Sequence, residues 1–274
     1  MTYCVGMLLD TGLVFLADSR TSAGVDQINS FRKTAVFQRP GDRVMVLQVA
    51  GNLAITQAVV TLLREHENST TRPSLDLQSC TNMFEAARCV GEALREVHRR
   101  DAESLKEFHV EFNASMILGG QIRNEVPRLF SIYSAGNFIE ALPETTYFQI
   151  GESKYGKPII DRVIRRSSSL NEATKCALVS MDSTLKSNLS VGLPLDLVVY
   201  EAGKLQSDQI ACIDDQNPYF RMVRDSWGRR LREVFEAMDD PQWGAAAHTD
   251  TPLIVDAPRY EALKKIHNET EKVV

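Results

Sequence analysis

The spacing of apolar residues switches along this chain between a period of two and a period of three to four, and that alternation limits the fold more than any other feature. Thr2 to Asp10 and Leu13 to Ser19 read as strands around a turn at Asp10-Thr11-Gly12. Lys33 to Gln38 and Arg43 to Val49 read as two more, joined at Pro40-Gly41-Asp42, where Pro presets one backbone angle and Gly tolerates the other. The period then lengthens. From Asn52, a plausible N-cap, to Glu67, the residues Leu53, Ala54, Ala58, Leu62 and Leu63 fall close to helical spacing; a second helix from about Ser79 aligns Met83, Ala87, Val90, Leu94 and Val97. Strands return at Glu111 to Leu118, Arg128 to Tyr133 and Thr145 to Ile150. Helical spacing resumes at Lys157 to Arg165 and at Leu170 to Leu189, the second capped by Ser169 or Asn171, and a hairpin at Leu195 to Glu201 and Lys204 to Ile213 follows.

Each helix pair needs a sheet face on which to bury its apolar stripe. The order strands, two helices, strands, two helices, strands therefore fits an α+β chain folded as a four-layer αββα sandwich over residues 1–213. Residues 214–274 read as a C-terminal helical extension: Asn217 to Met238 aligns Phe220, Val223, Trp227, Leu231, Val234 and Met238, and a short helix is expected over Ala257 to Glu271. An amphipathic helix in that place covers either its own core or a second copy of the chain.

Composition removes several functional classes. A formal net charge of -5 offers no basic surface for phosphates, so nucleic acid is not an expected partner. No apolar run approaches the roughly 20 residues of a membrane span, and no basic, apolar leader opens the chain, which together suggest a cytoplasmic protein without membrane partners. Cys4, Cys80, Cys89, Cys176 and Cys212 are widely spaced without a C-x-x-C pair and read as reduced, buried thiols. The histidines lack ligand spacing and the glycines lack a phosphate-binding fingerprint, so neither metal nor cofactor is expected.

The chemistry enters at the second residue. Removal of Met1 leaves Thr2 with both a hydroxyl and a free α-amine of pKa ~7.7, so that one residue supplies nucleophile and base. A strand pattern that begins at Thr2 fixes that group at a strand end. With a three-residue loop over Asp10-Thr11-Gly12, Thr2 falls opposite Arg20, and Asp18 lies one diagonal step away on the same face. Lys33, opening the third strand, reaches the same corner; an ammonium within about 4–6 Å stabilises a threonine alkoxide and disfavours protonation of the amine. Asp18 would hold that lysine in place and charged. Ala50-Gly51-Asn52 joins a strand to a helix, where glycine lets the backbone approach a substrate closely and the free N–H groups at the helix start form a natural oxyanion hole. Taken singly, these are a turn-capping carboxylate, a strand-end lysine and an ordinary connector; their combination carries the reading.

That combination, Thr2 opening a strand, Leu13-Val14-Phe15-Leu16-Ala17-Asp18-Ser19-Arg20, Gly24, Phe31-Arg32-Lys33 and Ala50-Gly51, resembles the N-terminal half of proteasome-type β-subunits, members of the N-terminal-nucleophile hydrolases. More closely, Thr2-Tyr3-Cys4-Val5-Gly6, Asp18-Ser19-Arg20-Thr21, Ala23-Gly24-Val25-Asp26 and Ser187-Asn188-Leu189-Ser190-Val191-Gly192 are similar to the bacterial ancestral β-subunits, the Anbu family. The resemblance implies the αββα fold, attack by Thr2 tuned by Lys33 and Asp18, an oxyanion held by Gly51, and self-assembly of identical subunits, with the helix from Asn217 as a subunit contact. Proteasome β-subunits orient the threonine amine with an Asp-x-x-Ser pair. Here the Ser is kept as Ser190 and the Asp is replaced by Ser187, while a further family serine finds no clean match near Gly151-Glu152-Ser153.

The expected function is therefore peptide or protein hydrolysis through a Thr2 acyl-enzyme, in a homo-oligomer closed as a ring or wound as an open spiral, which an ATPase or other accessory partner could serve. Two alternatives stand beside it: a catalytically weak or inactive structural assembly of the same fold, and acyl transfer to an amine. Residues near Thr21, Phe31 and Ala50 are expected to shape the substrate pocket.

Overall fold

The alternation of periods becomes, in the computed structural model, a mixed α/β arrangement of antiparallel sheets and helices, described for residues 2–22, 28–67 and 71–241. Met1, the Ala23-Gly24-Val25-Asp26 motif and the helix expected over Ala257 to Glu271 lie outside those residues. In chain order the elements are β1 (Tyr3–Leu9), β2 (Gly12–Asp18), β3 (Arg20–Ser22), β4 (Ile28–Ser30), β5 (Thr34–Arg39), β6 (Arg43–Gly51), α1 (Leu53–Glu65), α2 (Met83–Glu107), β7 (Ala114–Ile122), β8 (Arg128–Ile132), β9 (Phe138–Glu140), β10 (Tyr147–Gly151), α3 (Lys157–Val163), α4 (Leu170–Ser187), β11 (Leu195–Glu201), β12 (Gln209–Ile213) and α5 (Pro218–Glu236). One five-stranded sheet runs β10-β1-β2-β11-β12, a second runs β5-β6-β7-β8-β9, and β3 pairs with β4 alone.

Every residue of β1 and β2 is buried, because both faces of their sheet are covered. On one face Cys4, Leu8, Leu13 and Phe15 share an apolar cluster with Val44, Val46, Ile117 and Leu129 of the second sheet. On the other, α4 packs against β1, β2 and β11, and the Tyr3 phenol meets Ser180 Oγ of α4 at 2.6 Å. The remaining face of the second sheet gives Phe37, Met45, Leu47 and Met116 to a larger cluster with Ile55, Val59 and Leu63 of α1 and Met83, Val90 and Leu94 of α2. Each such aliphatic or aromatic side chain contributes roughly 1.5–3 kcal/mol by leaving water.

The helix starts follow local chemistry. Asn52 Oδ1 accepts the Ala54 N–H at 3.0 Å and caps α1. Ser169 and Glu172 form a capping box on α4, which resolves the choice between Ser169 and Asn171. Helix α2 begins at Met83 behind Asn82, whose Oδ1 accepts Glu85 N–H at 2.9 Å, rather than near Ser79. The segment before it is held instead by a 3-10 turn over Pro73–Leu75 and by Asp76, whose carboxylate accepts Gln78 N–H at 2.8 Å.

The first hairpin differs from its expected register. Leu9 pairs with Gly12 and Cys4 with Ala17, so the turn holds two residues, Asp10 and Thr11, and Gly12 belongs to the ladder. Continuing this register sets Tyr3 opposite Asp18 and Thr2 opposite Ser19, not Arg20. The cause is β11: Gly12 pairs with Glu201 at φ +147°, where a Cβ would collide with the Tyr200 carbonyl oxygen, so only glycine lets the two strands meet.

The chain divides into two compact units, one ending at Asp225 and one beginning at Ser226. Within the first, the opening turns of α5 bury Phe220 and Val223, and Arg224 Nε donates to the fully buried Asp182 at 3.0 Å. Within the second, Leu231, Val234, Phe235 and Met238 are exposed. Among the described residues no helix is long and apolar enough to cross a membrane.

Candidate active site

Thr2 sits half-buried at the head of β1, and two of the groups expected around it, Asp18 and Lys33, meet in one ion pair. Asp18, the last residue of β2 and wholly buried, accepts the Tyr3 N–H at 2.9 Å and the Lys33 ammonium at 2.7 Å through Oδ1, and the Gly192 N–H at 3.2 Å through Oδ2. Lys33, 5% exposed at the entrance to β5, also donates to the Arg20 carbonyl at 2.7 Å, so its reach is fixed from two sides. Burial pushes the Asp18 carboxyl above its ordinary range, against the pull of the Lys33 ammonium and of the two backbone N–H donors.

Gly51 ends β6 at φ +113°, and a Cβ there would strike the Asn113 carbonyl oxygen. Its orientation follows from the ladder. Val49 N–H donates to the Lys33 carbonyl at 2.9 Å, and donors two residues apart on a strand point the same way. The Gly51 N–H is thus directed past the start of β5, on the Lys33 side of the sheet.

The loop after α4 closes the corner from behind. Arg20 Nη1 donates to the Leu189 carbonyl at 2.9 Å, Ser19 Oγ to the Pro194 carbonyl at 2.6 Å, and the Gly192 N–H to Asp18, which accounts for the Asp18-Ser19-Arg20 sequence on one side and Gly192 on the other. Ser190 is half-buried in this loop, with its N–H on Asn188 Oδ1 at 2.9 Å. Ser187 ends α4 exposed to solvent and makes no described hydrogen bond to Thr2, Asp18 or Lys33.

Two residues that sequence reasoning passed over hold the Thr2 backbone. The Glu152 N–H donates to the Thr2 carbonyl at 2.6 Å, and its carboxylate accepts Asn188 Nδ2 at 2.7 Å and Lys154 N–H at 2.8 Å. A continuous path therefore runs from Thr2 through Glu152 and Asn188 to Ser190. Asn188 lay inside a recognised motif but served only as a spacer there; Glu152 gave no local signal.

A cleft of about 1160 Å³ opens beside Lys33, lined among others by Phe31, Ala35, Val49, Leu53 and Asp196. Of the three positions expected to shape a pocket, Phe31 lines it. Thr21 Oγ1 instead donates to the Asn29 carbonyl at 3.1 Å, and Ala50 is buried between the sheets. Burial raises the Asp196 carboxyl above its ordinary range, with Arg32 opposing at 3.9 Å. Among the described residues no group of three or more His, Cys, Asp or Glu side chains could hold a metal ion.

Three solved structures similar to this chain are each described as Anbu. An Anbu (Gly-1) mutant from Hyphomicrobium sp. strain MC1 is 48% identical, with a TM-score of 0.82, over 89% of this chain and 100% of that one. Anbu (ancestral beta-subunit) from Yersinia bercovieri is 50% identical, with a TM-score of 0.82, over 88% and 100%. The helical assembly of the Anbu complex from Pseudomonas aeruginosa is 42% identical, with a TM-score of 0.82, over 90% and 100%. No protein-family model and no curated protein matches the chain.

Proposed function

Because the chain belongs to the Anbu family of proteasome-like β-subunits, we propose that it is a self-assembling threonine peptidase whose nucleophile is Thr2 after Met1 removal. The observation that carries this reading is the buried Asp18 carboxylate, which joins the Lys33 ammonium at 2.7 Å to the N–H of the residue next to Thr2 at 2.9 Å. A cation held there lowers the energy of a threonine alkoxide and keeps the Thr2 amine neutral enough to take the hydroxyl proton.

In this mechanism Thr2 Oγ1 attacks the scissile carbonyl while the α-amine receives its proton. The Gly51 N–H stabilises the tetrahedral oxyanion, and the amine returns the proton to the leaving nitrogen. Water then hydrolyses the ester by the same route in reverse. Glu152, Asn188 and Ser190 hold the Thr2 backbone in position. The shared core between the two five-stranded sheets, with α1 and α2 outside one and α4 outside the other, supports the four-layer αββα reading. Residues 214–274 are the extension, and the helical assembly of the Pseudomonas relative supports an assembly of identical subunits.

A noncatalytic assembly draws on the exposed Ser187, which leaves no acidic side chain at that place to orient the amine. A β-lactone or epoxyketone probe separates the two readings. Expected is one adduct on the Met1-free chain, located at Thr2 by peptide mass spectrometry and lost in Thr2→Ala. Protein from its native host that keeps Met1, or Met1-free protein that takes no adduct, would overturn the peptidase. Product analysis with and without an added amine distinguishes hydrolysis from acyl transfer.

A further inference from the structure

Away from the Thr2 corner, two cysteines stand together at the start of α2. Cys80 and Cys89 are 7% and 5% exposed, belong to one buried cluster, and both line a surface groove of about 610 Å³ together with Ser79, Glu85 and Arg88. Both backbones are fixed. Arg43 Nη1 donates to the Leu77 carbonyl at 3.1 Å and to the Cys80 carbonyl at 2.8 Å, Cys80 Sγ lies 3.5 Å from the Asp76 carbonyl oxygen, and Cys89 is on the helix itself.

We propose that Cys80 and Cys89 form a peroxide-responsive pair that closes reversibly into an intrachain disulfide. Two thiols that share one buried cluster and line one groove need only local side-chain rearrangement to approach the S–S bond length of about 2.05 Å. The exposed Ser79 and Arg88 leave the groove open to a small hydroperoxide. The neighbouring Cys89 thiol, helped by Arg43 and opposed by burial, draws the Cys80 thiol below its ordinary range, while Cys89 is held above it. By contrast, burial pushes Cys176 up to about 12, and Cys212 is exposed on β12, a departure from the buried thiol expected there.

The Cys80 thiolate attacks one peroxide oxygen, the O–O bond breaks, and Cys80 becomes a sulfenic acid with release of hydroxide. The Cys89 sulfur then displaces the hydroxyl group from Cys80, and the S–S bond forms. Two thiols lose two electrons to the two peroxide oxygens, and the thiol protons leave in two waters.

The test uses the full chain carrying Cys212→Ser, which removes the exposed thiol, treated with equimolar hydrogen peroxide. Trypsin cuts between Arg88 and Cys89, so a disulfide ties two otherwise separate peptides. Expected are an intact mass lower by two hydrogens, the linked peptide pair in a non-reducing digest, and return of both thiols with dithiothreitol. In the same background Cys89→Ser is expected to stop at a sulfenic acid that dimedone traps on Cys80. Quantitative alkylation of both cysteines after peroxide treatment, or oxidation of Cys80 to sulfinic acid without linkage in the chain that keeps Cys89, would overturn the proposal.

Discussion

Asp18 gathers an ammonium and two backbone N–H donors at a site without solvent, so changes at this residue and its partner should be felt throughout the corner. Lys33→Met removes the cation and leaves the carboxylate to be buried uncompensated or protonated. Breaking such a pair costs about 3–5 kcal/mol when the remaining charge persists and less when it takes a proton. Urea unfolding near neutral pH is expected to show a loss of at least ~1 kcal/mol, together with loss of probe labelling at Thr2. The pH response has a definite sign. The folded state raises the Asp18 carboxyl above its ordinary value of 3.8, so it binds that proton more tightly than the unfolded chain does. The contribution of this group to stability is therefore complete below pH 3.8 and lost as pH rises through the folded value. Asp18→Asn cannot titrate and lacks this dependence. Measured from about pH 4 to about pH 7, the stability of the wild-type chain relative to Asp18→Asn should fall; a difference that grows with pH would contradict the assignment.

At the scale of elements, what could be read in the sequence was what is decided locally. Asn52 and Ser169 cap α1 and α4 through side chains that reach two or three residues forward, a distance a linear reading covers. The register of β1 and β2 was not legible, because it is set by the close passage of Tyr200 on β11, nearly two hundred residues away. Gly12→Ala is accordingly expected to lose more than the ~1–3 kcal/mol of backbone strain alone, read from the midpoint of chemical unfolding. Strands of three residues, such as β3, β4 and β9, are too short to show a period, and none was expected. In the candidate active-site corner Thr2, Asp18, Lys33 and Gly51 stood out because each opens or ends an element. Glu152 and Asn188 did not, since their pairing spans 36 residues. Asn188→Leu strips Glu152 of that donor and should cost roughly 1–3 kcal/mol in the same unfolding measurement.

At the scale of the whole molecule, the sequence left open what the stripe of the last described helix covers, and the answer differs along its length. Phe220 and Val223 are buried and Arg224 meets Asp182, so the opening turns complete the core of their own unit. From Ser226 onward Leu231, Val234 and Phe235 are 54%, 57% and 74% exposed, an apolar surface in water that a second subunit would remove. If the extension is a subunit contact, Leu231→Glu together with Phe235→Glu places two charges where apolar groups must be desolvated. Sedimentation velocity is expected to show loss of the large species and a shift to the mass of few subunits, while chemical unfolding of the first unit keeps its wild-type midpoint. A doubly substituted chain that sediments as the wild type does would assign assembly to another surface, and the exposed stripe would then need a different occupant.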